Sequence, residues 1–493
     1  MSVLSFRRLV LSRPGLYFFH FSLSLSVLTV RGWGAHRVLH FEETVAVGSA
    51  LSQGLFSSLN DSPYGLLVPR FLVEFAVLFP LEFLPRVLFG LATVLWSLFS
   101  LTIFVGVLRR LGDLVAAWFA SFVLVLVPLP ELGMQGIVWN SFWPMFIALG
   151  AVFSVQAYGR SKSATWAVSI FAFLTASSNP IALVLVAILL VDWLFVPSMR
   201  RRISVIFGGL LLGIVFSLAV QVRQEPALNY LGEWTQEFAQ TSETLGRLEE
   251  SGAATLRRAP DVDLPQIIRG LPGSVKFLLT QMMPEPFASR WILTETAAKN
   301  LAQTGLAFVF LILIPVVVTW RKMKRESSRL RTNPTFRLFL LAALSFAVQV
   351  ALIGGVVQSR QYLFAPICFV WIGTALAFSK LLAERRPRLK LEHLLAVVVT
   401  AIFLANVKQN FRDPFQENPR QGGTGRYASH EIWRPALNVV RKKCLDMRNE
   451  TIVVVSQVDP NDPVIKHLTQ SSSLKLAWFD HPLVARCGVI KKD

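Results

Sequence analysis

Apolar runs long enough to cross a bilayer core, roughly 20 residues of helix each, recur from end to end of this 493-residue chain. In hydrocarbon every backbone amide must be paired, and continuous apolar runs of this length pair within themselves as helices. The chain therefore reads as an all-α polytopic membrane protein. Its composition, 53% hydrophobic and 16% charged, agrees. The net charge of +19 would suit a nucleic-acid partner, but the basic residues cluster in short loops between apolar runs. There they set topology and meet anionic lipid headgroups. Membrane lipids are expected as partners, and nucleic acid is not.

Arg7, Arg8 and Arg13 precede the first apolar run, which ends near Val30-Arg31 with no small-residue cleavage site after it. That run reads as an uncleaved signal anchor with its N-terminus in the cytoplasm. The positive-inside rule then assigns Arg109-Arg110, Arg160/Lys162, Arg200-Arg201-Arg202, Arg321 through Arg331 and Arg385-Arg386-Pro387-Arg388 to the cytoplasm. The spans fall near 14–33, 86–107, 113–129, 143–158, 164–179, 181–197, 203–221, 302–320, 337–357, 362–381 and 392–407, about eleven in all. The segment 65–80 has no room to cross, since crossing would put Arg109-Arg110 outside. It also carries Arg70 and Glu74 midway, and each charge at the centre of a span costs roughly 3 kcal/mol. It is expected to lie on or dip into the outer face. The odd span count places the C-terminus outside.

Most non-membrane sequence then falls on one side. Residues 1–407 form the transmembrane domain, with outer loops at 34–85, 130–142 and 222–301, and residues 408–493 form a small extracytoplasmic tail. The tail reads as α/β, a helix around Trp433–Cys444 followed by a buried strand from Thr451 to Val455. Cys368 lies within a span, which leaves Cys444 and Cys487 as the cysteines on the oxidising side; they are expected to pair. No 20–50-residue repeat and no inverted pair of halves is evident.

Polar groups beside the outer ends of spans are the candidates for chemistry. Glu42 and Glu43 stand next to His40, where the chain first leaves the membrane. Two carboxylates at the mouth of a bundle can take a proton from a hydroxyl; the plain alternative is a solvated loop. Asn140 and Glu131 lie in the second outer loop, and Arg360 and Tyr362 at the outer end of a late span. His20 and Asp192 lie inside spans, where ionisable groups are functional candidates, although Asp192 sits near enough to a cytoplasmic end to reach water. The seven histidines are scattered, and no Cys/His spacing matches a metal site. There is no glycine-rich phosphate loop and no Gly-x-Ser-x-Gly elbow.

Several of these residues sit in stretches that resemble a known superfamily. Phe41-Glu42-Glu43 through Gly54, followed by Ser62-Pro63-Tyr64-Gly65-Leu66-Leu67-Val68-Pro69-Arg70, looks like the first outer loop of bacterial GT-C glycosyltransferases, in an actinobacterial branch. Phe-Glu-Glu is similar to the Phe-Asp-Glu of protein O-mannosyltransferases. Trp139-Asn140-Ser141-Phe142-Trp143 resembles a second-loop motif, Ser177-Ser178-Asn179-Pro180 the turn that follows it, and Gln358-Ser359-Arg360-Gln361-Tyr362 the late Arg-Tyr motif. The likeness covers most of the membrane region in order and spacing. The chain departs from the pattern in having no Asp in the first motif, and Asn140 and Glu131 where many members have Asp.

The resemblance implies a multi-pass enzyme of the bacterial plasma membrane. It would transfer a sugar from a polyprenyl-phosphate donor to a cell-envelope glycan or lipid on the outer face, with inversion. Glu42 is then the expected base, with Glu43 or His40 positioning the acceptor and Asn140 and Tyr362 lining the substrate site. Arg360 would hold the leaving phosphate, for which a guanidinium fork is well shaped; its plain reading is an interfacial arginine. Arg70 would either share the phosphate or pair with Glu74 one helical turn later. No cofactor is expected; a divalent metal suits the superfamily's chemistry, but nothing in these residues supports one. The alternative function is a non-catalytic envelope-assembly protein or a lipid-linked saccharide flippase.

Overall fold

The computed structural model describes residues 13–32, 35–37, 39, 43, 46–48, 50–51, 66–126, 138–159, 161–223, 272, 275, 278, 333–352, 363–383, 433–455 and 483–491. The expected spans 302–320 and 392–407 and nearly all of the 222–301 loop lie outside the described residues. Each expected span inside them is a helix. These are α1 (Arg13–Arg31), α3 (Leu84–Leu111), α4 (Leu114–Leu126), α5 (Phe142–Ser154), α6 (Lys162–Ser178), α7 (Val184–Phe195), α8 (Arg200–Arg223), α9 (Pro334–Leu352) and α10 (Phe364–Ala383). Among the described residues three segments are long and apolar enough to cross a membrane, namely Leu81–Leu111, Pro197–Val220 and Pro334–Ala351. Leu114–Leu126, Phe142–Ser154, Ile181–Phe195 and Phe364–Ala377 are shorter apolar helices.

The segment 65–80 is not a span-length helix. It yields α2 (Leu67–Ala76), ten residues long, or about 15 Å against a hydrocarbon core of about 30 Å. A turn and a 3-10 segment at Leu81–Phe83 then lead into α3.

Contacts sort the helix termini into two groups. At one end the Arg109 guanidinium lies 5.9 Å from the Tyr17 ring, Arg110 meets Gln156, and Arg202 donates to the Gly159 carbonyl at 3.0 Å. At the other end Arg31 donates to the Val125 carbonyl, Glu43 meets Val138, and Val68 meets Ser178. Both ends of α2 and its following turn therefore lie at the second end of the bundle.

Small residues let the helices close on one another. Where α6 and α8 pack, a Cβ added at Gly209 would stand 2.5 Å from the Ser169 carbonyl oxygen, and one at Gly213 would stand 2.5 Å from that of Phe173. Such stripes are how helices associate in lipid, where no hydrophobic force favours helix over tail. Ser169 adds an interhelical hydrogen bond to the Val205 carbonyl at 2.8 Å.

The tail forms as its sequence suggests. Helix α11 (Trp433–Leu445) precedes β1 (Ile452–Val455), which pairs antiparallel with β2 (Leu483–Arg486) in the register Ile452↔Arg486 and Val455↔Leu483, and α12 (Cys487–Lys491) follows. Cys444 and Cys487 are disulfide-bonded, with Cα atoms 5.3 Å apart. The unit does not stand apart from the bundle. Its core of Trp433, Leu437 and Val455 is continuous with Leu39, Val47, Val73 and Leu84. The Trp433 indole N–H donates to the Leu81 carbonyl at 2.7 Å, and Arg434 lies over the Phe83 ring at 5.6 Å.

Candidate functional site

Helix α2 organises the tail-bearing end of the bundle. Its 3.6-residue period puts Pro69, Arg70, Val73, Glu74 and Ala76 on a buried face. Phe71 and Phe75, with Leu78 and Phe79 just beyond, are exposed. One helix thus carries charge inward and aromatic surface outward. Arg70 and Glu74 are 1% and 5% exposed, one turn apart on the buried face.

The first turn of α2 is fixed from outside. Leu66, at its N-cap, is left-handed with φ 37°, and it offers no side-chain cap. For a residue with a Cβ this conformation costs roughly 1–2 kcal/mol. The orphan N–H of Val68 is taken by the Ser178 hydroxyl at 3.1 Å. Ser178 ends α6, and the next residue, Asn179, accepts the Ile181 N–H at 2.8 Å through its own side chain. The Ser-Ser-Asn-Pro turn therefore has two structural duties, one of which is to hold the start of α2.

Glu43 links the first outer loop to the second. It is 1% exposed, and its Oε1 accepts the Val138 N–H at 2.7 Å. A buried carboxylate needs such partners to offset lost hydration, and the charge-assisted bond is a strong one. Val138 opens the 3-10 segment Val138–Ser141, against which α2 and α3 both pack. Asn140 and Ser141 lie within that segment, 5% and 0% exposed.

Of the residues picked from sequence, Glu43, Arg70 and Asn140 are thus brought to one end, on elements in mutual contact. His40, Glu42, Arg360, Tyr362 and Glu131 lie outside the described residues. The helix that follows Arg360 and Tyr362 begins at Phe364, whose ring lies 5.6 Å from that of Trp96 in α3. As placed, Glu43 is an anchor between loops, because its carboxylate is occupied by backbone and closed to bulk water. Among the described residues no group of three or more His, Cys, Asp or Glu could hold a metal ion.

Sequence reasoning overlooked a second polar cluster, at the opposite end. Asp192, expected near water, is instead 1% exposed. It is ion-paired with Arg337 and accepts hydrogen bonds from Tyr158 and from Gln156 Nε2 at 2.9 Å. Arg337 also donates to the Phe153 carbonyl at 3.0 Å. A signal was available in sequence, since Asp192 and Arg337 are opposite charges in apolar runs that alternation puts at the same end. The other intramembrane candidate, His20, bonds Ser121 at 2.8 Å and stacks on Phe104, which is a packing role. Compared with known proteins, the chain matches no family model and no curated relative.

Proposed function

We propose that this chain is a membrane glycosyltransferase of GT-C type, which transfers a sugar from a polyprenyl-phosphate donor to an envelope acceptor on the face that carries the tail. The observation that supports the reading best is the tie between loops: Glu43 of the acidic pair bonds the segment holding Asn140, and the helix bearing Arg70 packs on that segment. Residues whose resemblance lay in separate stretches thus meet at one end. In this reading Glu43 sets the first loop, and Glu42, whose side chain diverges from its neighbour's by about 100° on a helix, is the base. The exposed aromatic face of α2 lies toward lipid, from which a polyprenyl donor arrives. Arg360 holds the departing phosphate.

The test is transfer of labelled sugar from polyprenyl-phosphate donors by the purified chain in proteoliposomes, against Arg360→Ala. The reading expects transfer by the wild type, and loss of both donor binding and transfer in the variant. Failure of the wild type with every polyprenyl-phosphate sugar tried would overturn it.

A further inference from the structure

A cavity of about 680 Å³ opens at the end of the bundle opposite the tail, lined by Arg110, Gln156, Ser198, Met199 and Pro334 among others. Its size is that of a small-molecule site. Among the described residues that line it none is acidic. Behind Gln156 the buried Asp192 carboxylate is ion-paired with Arg337. Arg110 stands at its wall. Two other cations near this end are turned onto carbonyls, Arg202 onto Gly159 and Arg200 onto Trp193. Arg110 instead gives Nη2 to the neutral amide oxygen of Gln156 at 3.3 Å.

Gln156 is where the chain carries a local cost. Its N–H bonds the Phe153 carbonyl and the Ala157 N–H bonds that of Val152, both at 3.0 Å. This is the double hydrogen bond that closes a helix through a left-handed residue, a position usually filled by glycine. Gln156 takes it with φ 56°. What glycine could not supply is the side chain, whose Oε1 orients Arg110 while its Nε2 is locked to Asp192. The left-handed residue thus carries a side chain that bridges Arg110, at the cavity wall, to the buried Asp192–Arg337 pair.

We propose that this cavity binds a phosphate-bearing ligand, recognised by the Arg110 guanidinium that the Gln156–Asp192–Arg337 chain holds in place. The phosphate could belong to a lipid headgroup or to a soluble phosphomonoester, and the chemistry of recognition is the same. The inference does not depend on the glycosyltransferase reading.

Ser198 lines the cavity and is exposed, so Ser198→Cys reports occupancy. The background is quiet, because Cys368 is buried and the other two cysteines are disulfide-bonded. Alkylation of the full chain by N-ethylmaleimide, in dodecyl maltoside, is timed alone and with glycerol 3-phosphate, phosphatidylglycerol or phosphate-free diacylglycerol. Slowing by phosphatidylglycerol alone identifies a headgroup, and slowing by glycerol 3-phosphate identifies a soluble ligand. In either case Arg110→Gln should weaken binding by roughly tenfold or more, while Arg110→Lys retains part of it. An unchanged ligand-free alkylation rate shows the cavity intact in each variant. No slowing by either phosphate compound, equal slowing by diacylglycerol, or slowing that survives Arg110→Gln would each overturn the proposal.

Discussion

Breaking the Asp192–Arg337 pair from one side should be far more damaging than neutralising both partners. The two side chains are 1% and 2% exposed, so neither can recover hydration when the other is removed. In Arg337→Met the Asp192 carboxylate keeps only the neutral donors Gln156 and Tyr158. A buried charge stripped of its counter-ion costs about 3–5 kcal/mol. In Asp192→Asn with Arg337→Met no charge remains, and the Asn oxygen can accept from Gln156 while its NH2 donates to the Tyr158 hydroxyl. The pair should therefore couple by roughly 2 kcal/mol or more in a double-mutant cycle, leaving the double variant more stable than Arg337→Met alone. Reversible unfolding in mixed dodecyl maltoside and SDS micelles, followed by the fluorescence of the 13 tryptophans, measures each step. An Arg337→Met cost below about 1 kcal/mol, or a double variant no better than the sum of its singles, would refute the reasoning.

Other consequences follow from the packing. Reducing the Cys444–Cys487 bond, which closes 43 residues of separation, removes about 4 kcal/mol on the chain-entropy estimate; limited proteolysis should then cut the tail first and spare the bundle. Gly213→Ala drives a methyl to within 2.5 Å of the Phe173 carbonyl oxygen and should destabilise the α6–α8 pair by about 1–3 kcal/mol, read in the same unfolding assay, whereas no change would mean the helices are less closely packed. Arg86→Cys, at the exposed start of α3, should react with an impermeant thiol reagent from outside the cell; labelling from the cytoplasmic side alone would reverse the topology.

What the sequence disclosed, it disclosed through local period and through alternation of charge. The apolar runs marked the helices to within a few residues. Arg70 and Glu74 marked 65–80 as something other than a span, because a charge at mid-membrane is costly wherever it occurs. Elimination sufficed for the disulfide, since Cys368 sits in an apolar run. Partnerships between distant residues left a fainter trace or none. Asp192 and Arg337 were legible only as opposite charges assigned to the same end, and nothing in Ser178 announces that it caps α2. Glu43 stood out only as half of an acidic pair, and nothing beside it announces its bond to the Val138 N–H. Gln156 gave no sign at all, because its left-handed backbone occurs where a glycine would have been the expected cue.

The central claim is that the acidic pair serves sugar transfer, and it is tested most directly by the initial rate of transfer in proteoliposomes for Glu42→Gln beside Glu43→Gln. Glu42→Gln should fall by about 10²–10⁴-fold, the loss typical of a positioned base, with the protein still folded and inserted. Glu43→Gln should fall less, because the amide oxygen can still accept the Val138 N–H that now holds the loops together. Full activity in both variants would reduce the pair to a structural feature of the loop and remove the site.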